Sequence, residues 1–139
     1  MVAPREWSAG KLVFRISHRG GLGAWAWPSG KVEITPDLVD ALDDHELAAA
    51  LAHEVAHLIA DDIVETRQRA ALAGSDSETI ERSADRLGCS ILADAGLPPE
   101  AMIRMLSKVA IGLREPRMLA PRIAQASAVC RTLNGATQQ

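Results

Sequence analysis

Glu46-Leu47-Ala48-Ala49-Ala50-Leu51-Ala52-His53-Glu54-Val55-Ala56-His57 reads as one uninterrupted α-helix, rich in alanine and free of glycine and proline. Asp43, with Glu46 three residues on, resembles a capping box, so this helix is expected to run from there to about residue 61. Leu47, Leu51, Val55 and Leu58 are spaced as one apolar stripe, with His53 and His57 on its flank. Positions i and i+4 share a helix face, so both imidazoles can reach one metal ion while Glu54 borders the same site. A His-Glu-x-x-His pair on a helix is the start of a zinc hydrolase centre.

It supplies two ligands where catalytic zinc normally takes three and a water. His45 lies in the first turn of the same helix, about 12 Å from His53 along the axis, and is poorly placed. His18 sits beside a glycine-rich turn with no helical partner. Asp61 shares the face of His57 but needs an ion displaced along the axis. A following helix, expected over residues 78–93 with Ile80, Ala84, Leu87 and Ile91 as its core stripe, carries Glu81 and Asp85 side by side. Glu81 has the longer reach and is the favoured third ligand; Asp85 can then accept the N–H of a ligating histidine and fix its tautomer. One zinc ion on His53, His57 and Glu81 would hold and acidify a water, with Glu54 as general base and later proton donor to the departing amine.

Upstream, residues 11–17 alternate through Leu12, Phe14 and Ile16 as a half-buried strand, and Gly20, Gly21 and Gly23 break it. Ala24-Trp25-Ala26-Trp27 is a second extended segment, Pro28-Ser29-Gly30 a turn, and residues 32–35 a third strand, together a small sheet. Thr35 before Pro36 and Asp37 caps a short helix to Leu42. Downstream, Gly96 stops the second long helix and Pro98-Pro99-Glu100 opens another to Ile111. A last helix is expected over residues 121–133, followed by a fraying tail. The fold class that follows is α+β, a small mainly antiparallel sheet packed on helices.

The 139 residues are 47% hydrophobic and 24% charged, as expected of one domain spanning 1–139 with an ordinary core. A net charge of -3 without a basic tract speaks against nucleic acid as a partner, and a deaminase would need a paired-cysteine ligand motif. Cys89 and Cys130 are expected as two core thiols in a reducing compartment, with a single disulfide as the alternative. No stretch approaches a signal peptide or a membrane span. The chain reads as cytoplasmic, or as a domain of a larger protein.

Gly30-Lys31-Val32-Glu33-Ile34-Thr35, the 46–57 stretch and Glu81-Arg82-Ser83-Ala84-Asp85-Arg86-Leu87-Gly88, in this order, resemble the HtpX, Oma-type and CAAX-prenyl endopeptidase family of gluzincin zinc metallopeptidases. The resemblance spans roughly residues 24–110. It implies an α+β metallopeptidase core with Glu81 as third zinc ligand, Glu54 as general base and Asp85 behind a ligand. Ala24, Trp25, Ala26 and Trp27 fall where the family has the edge strand that pairs with an extended substrate, the geometry of β-augmentation; ordinary sheet-face packing of the two tryptophans is compatible with it. The chain departs from the family where many members carry a late His-Pro pair that assists the transition state: Ala120-Pro121 stands here. Arg122 is the candidate replacement for that group, weighed against a plain surface arginine.

The expected activity is endopeptidase cleavage of peptides or unfolded protein. The competing expectations are a catalytically weak or inactive zinc-binding interaction module of the same fold, and a metal-dependent amidase acting on a small molecule.

Overall fold

The computed structural model describes residues 12–27, 29–60, 77–112 and 119–137. Thr35 organises the first half of the chain. Its Oγ1 accepts from Leu38 N at 3.2 Å, capping α1 (Pro36–Ala41), and from Gly23 N at 3.1 Å, which fixes the start of a strand. Asp37 in the first turn accepts from Gly21 N at 2.7 Å and ties the glycine loop down, with Gly21 at φ 85°, a conformation that favours glycine.

Three strands, β1 (Val13–Ile16), β2 (Ala24–Ala26) and β3 (Lys31–Ile34), lie in the order β1-β3-β2. β2 and β3 are antiparallel through the tight turn at Gly30, where Gly30 N donates to Trp27 O at 2.9 Å. β1 departs from the antiparallel expectation. Residues 17–23 carry the chain past β3 to its far edge, so β1 pairs with β3 in parallel, Val13 beside Lys31 through Ile16 beside Ile34. Val32 and Ile34 face the core; β1 is exposed along its length.

The capping box that opens α2 (Asp44–Ala60) is complete: Glu46 N donates to Asp43 Oδ1 at 2.8 Å and Asp43 N to Glu46 Oε1 at 2.9 Å. Glu46 is buried, and Lys108 and Arg104 reach its carboxylate from α4 (Ala101–Gly112). α3 (Ser77–Asp94) packs along α2, and α5 (Ala120–Thr137) packs along α3. α4 opens with three i→i+3 bonds, from Ala101, Met102 and Ile103 to Pro98, Glu100 and the residue between them, which makes the proline pair a lead-in turn. α5 runs to Thr137, past the expected end at 133. Among the described residues no helix is long and apolar enough to cross a membrane.

The expected core stripe of α2 is displaced. Leu47, Leu51 and Val55 are only partly buried, whereas Ala49, Ala52, Ala56, His53 and His57 turn inward with Leu58. On α3 likewise, Ala84, Asp85, Gly88, Cys89 and Leu92 face inward, with Ile80, Leu87 and Ile91 beside them. Two helices meeting through alanine and glycine approach more closely than leucines would allow, and the larger side chains move to the flanks. At Gly88 an added Cβ would lie 2.6 Å from the Met102 terminal methyl and 3.4 Å from the His53 backbone.

Cys89 and Cys130 form a disulfide between α3 and α5, Cα atoms 5.4 Å apart, correcting the expectation of separate thiols. The helix pairing brings together two residues 41 apart in sequence, a proximity that their spacing alone does not convey.

Candidate metal centre

His53 and His57, one turn apart on α2, point at the same spot, and Glu81 on α3 closes it from the opposite side. Their Nε2 atoms lie 3.0 Å apart. Glu81 Oε2 is 3.0 Å from His53 Nε2, and Glu81 Oε1 is 3.2 Å from His57 Nε2. For nitrogen and oxygen ligands about 2.0–2.1 Å from zinc, the edge of a tetrahedron is about 3.3 Å, so these separations suit three corners around one ion. This is the group of potential ligands that the described residues bring together. His18 and His45 are exposed and outside it, and Asp61 lies outside the described residues.

Asp85, fully buried one turn past Glu81, accepts from His53 Nδ1 at 2.8 Å. With its proton on Nδ1, His53 turns a lone pair on Nε2 toward the cluster, the tautomer a metal ligand needs. Asp85 is itself held by Arg122 of α5, whose Nε and Nη2 donate at 2.8 and 2.9 Å; Nη2 is also 3.5 Å from Glu81 Oε2. The Arg122 side chain is 14% exposed, which overturns the reading of a surface arginine.

These contacts set the charges. Burial alone would push Glu81 and Asp85 upward, but His53 and His57 at Glu81, and His53 and Arg122 at Asp85, hold both below the usual carboxylate range. Burial opposes charge on His53 too, yet Asp85 and Glu81 outweigh it and lift the imidazole to about 9 without metal. Glu54 differs. Burial raises its carboxyl against the opposing pull of His53 and His57.

Glu54 also lines two adjoining cavities. One, of about 290 Å³, is bounded by Ala24, Trp25 and Ala26 of β2 and by the His53, His57 and Glu81 cluster. Among the described residues β2 is the edge of the sheet on that side. Gly23 O accepts from Thr35 N at 2.9 Å and Trp27 N donates to Lys31 O at 2.8 Å. In an antiparallel ladder such pairs recur at every second residue, so Trp25 pairs with Glu33, and the N–H and C=O of Ala24 and Ala26 point away from β3 along the open edge. The Trp25 ring covers Gly23, with the Arg19 guanidinium 5.2 Å from the ring centroid, and Trp27 is exposed.

The model of peptidase family M48 matches residues 6–74. Over this segment the chain is similar to peptidase family M48. The M48 segment includes β2, β3 and the whole His-Glu-x-x-His turn; Glu81, Asp85 and Arg122 lie past it and enter the centre by geometry. The match points to a metallopeptidase, and the α+β architecture of helices over a three-stranded sheet agrees with it. No curated protein matches the chain in sequence.

Two residues of this centre escaped sequence reasoning in their actual roles. Arg122 was legible as a cation late in the chain, but its partner Asp85 is 37 residues away. Gly88 follows Asp85 by three residues, and its neighbour across the helix pair, His53, is set by tertiary packing.

Proposed function

We propose that this chain is a zinc-dependent endopeptidase that takes an extended peptide along β2 and hydrolyses a bond placed between Glu54 and the His53, His57, Glu81 centre. The observation that carries this reading is the convergence of three ligand atoms beside a buried carboxylate that is not one of them, at the foot of an open strand edge. Zinc, when bound by His53, His57 and Glu81, supplies a Lewis acid that acidifies water and polarises a carbonyl.

The chain's own residues do the rest. Glu54 takes the proton of the attacking water and delivers it to the departing amine nitrogen, and its upward shift favours a group that must first accept and then donate. Asp85 keeps the His53 proton on Nδ1 and Arg122 keeps Asp85 in place. Arg122 also borders the second cavity beside Glu54, where the part of its positive charge not offset by Asp85 and Glu81 would stabilise the negative charge developing on the substrate carbonyl oxygen. Ala24 and Ala26 hold the substrate by main-chain hydrogen bonds; Trp25 and Trp27 shape the strand around them.

The substrate is peptide or unfolded protein, since β-augmentation requires an extended segment. The Cys89–Cys130 bond weighs against the cytoplasmic expectation, because reducing compartments keep such cysteines as free thiols. The test is cleavage of unfolded casein by zinc-loaded protein and by Glu54→Gln. The variant should retain one zinc and lose nearly all turnover, while His53→Ala or His57→Ala should lose the metal. Equal residual cleavage by wild type and Glu54→Gln would leave a metal-binding interaction module instead.

A further inference from the structure

Alternation along the strands divides the sheet into two faces. Val32 and Ile34, with Ala24 and Ala26 beside them, turn toward the helices, whereas Lys31 and Glu33, with Trp25 and Trp27, turn away. Arg15 lies beside Glu33 in the register of β1 and joins this outer face. There the Trp25 ring covers Gly23, and the Arg19 guanidinium sits 5.2 Å from the ring centroid. Lys31 Nζ is 5.3 Å from the Trp27 centroid and 2.8 Å from Glu33 Oε1, so the carboxylate of this face is already paired. Arg15 and Arg19 are exposed, and among the described residues neither has a carboxylate within ion-pair distance. The result is a cationic, tryptophan-bearing ledge directly behind the open edge of β2.

We propose, resting on the endopeptidase reading above, that Arg19 is a specificity-determining residue and favours an acidic side chain at the substrate residue that lies beside Trp25 and points away from the metal centre. A strand bonded to Ala24 and Ala26 alternates as β2 does, and side chains directly across a ladder share a face, whichever way the added strand runs. The substrate residue opposite Trp25 therefore projects onto the outer face, next to the indole and under the reach of Arg19. Attraction to the indole face holds the guanidinium in place and leaves its N–H groups free to grip a carboxylate. A basic side chain there meets like charge, and a neutral one gains nothing from Arg19. Outward positions recur at every second residue, so the preference has a period of two along the substrate. The residues between them face the side of the sheet that carries Glu54 and Glu81, where a further carboxylate gains no partner.

The experiment uses zinc-loaded full chain and a quenched peptide whose cut bond is mapped by mass spectrometry, with each residue around that bond replaced in turn by glutamate, alanine or lysine. Glutamate should exceed lysine in kcat/KM by about fivefold at one position, by less two residues to either side, and not at the positions between. High salt should remove most of the difference. Arg19→Lys should keep the order of the three residues and Arg19→Glu should reverse it. A flat series, a glutamate preference without the alternation, or one that persists in Arg19→Glu overturns the proposal. Binding is read separately, without metal or turnover, from the indole N–H resonances of Trp25 and Trp27. A short peptide with glutamate at alternate residues should shift them at concentrations about tenfold below those of its lysyl analogue. Selective shifts with no cleavage of any peptide would sink the endopeptidase reading and uphold the role of Arg19; unselective or absent shifts would overturn that role whatever the turnover.

Discussion

Arg122 grips both carboxylate oxygens of Asp85, Nε to Oδ2 at 2.8 Å and Nη2 to Oδ1 at 2.9 Å, at a position where Asp85 has no exposure to solvent. Removing one partner of a buried pair strands the other, so Arg122→Leu should cost about 3 kcal/mol in urea unfolding of the metal-free protein. Arg122→Lys should recover only part of this, because an ammonium cannot reproduce the two-pronged contact. Zinc affinity should fall in the same order. A loss below about 1 kcal/mol for the leucine variant would show that Asp85 is held by something else.

The proton on His53 makes the metal-free fold pH-dependent. Its folded value of about 9 lies above the ordinary value of about 6.5. The stabilisation is therefore fully present below pH 6.5 and is lost as pH rises through 9. Thermal unfolding of zinc-free protein should show Tm declining across that window, and Asp85→Asn should flatten the decline. Zinc must displace this proton, so its uptake at pH 7 should release protons into weak buffer, measurable by calorimetry in buffers of different ionisation enthalpy.

Gly88 is tested by size. An alanine there meets the mobile end of Met102 and gains about 1 kcal/mol of helix propensity, so Gly88→Ala should stay within about 1 kcal/mol of wild type. Gly88→Val pushes further atoms toward the His53 backbone and should cost roughly 2–3 kcal/mol while weakening zinc binding. Denaturant unfolding and a competitive zinc titration check both. Equal effects of the two variants would mean that the helices are free to move apart.

Reduction of Cys89–Cys130 should lower stability by about 4 kcal/mol on the chain-entropy estimate for a loop of this length. Unfolding in the presence and absence of a phosphine reductant measures it. Cys89→Ala with Cys130→Ala should unfold at the reduced protein's denaturant concentration, to within the small packing change.

What was legible in the sequence followed local rules. Thr35 caps α1, Asp43 and Glu46 close their box, and Gly96 ends its helix at φ 76°, each a matter of a few neighbouring residues. His53, His57, Glu81 and Asp85 were legible because helical periodicity alone puts each pair on one face. The face buried by α2 was not. Leu47, Leu51 and Val55 form the more hydrophobic stripe, but the close approach at Gly88 selects the alanine and histidine face, a choice made by the partner helix. The parallel placement of β1, the Arg122 grip and the disulfide are also tertiary, joining residues with no sequence signal that names their partners.

The cross-link between α3 and α5 has a further consequence for a chain whose proposed work is to cut chains. One backbone cleavage anywhere between Cys89 and Cys130 leaves two fragments that remain a single covalent molecule, with Asp85 on one and the carboxyl-terminal end of α5 on the other. A nick in the connection from α4 to α5 would pass unnoticed in a non-reducing gel and show as two bands only after reduction. The centre's outer support thus survives a cut that would otherwise let α5 diffuse away.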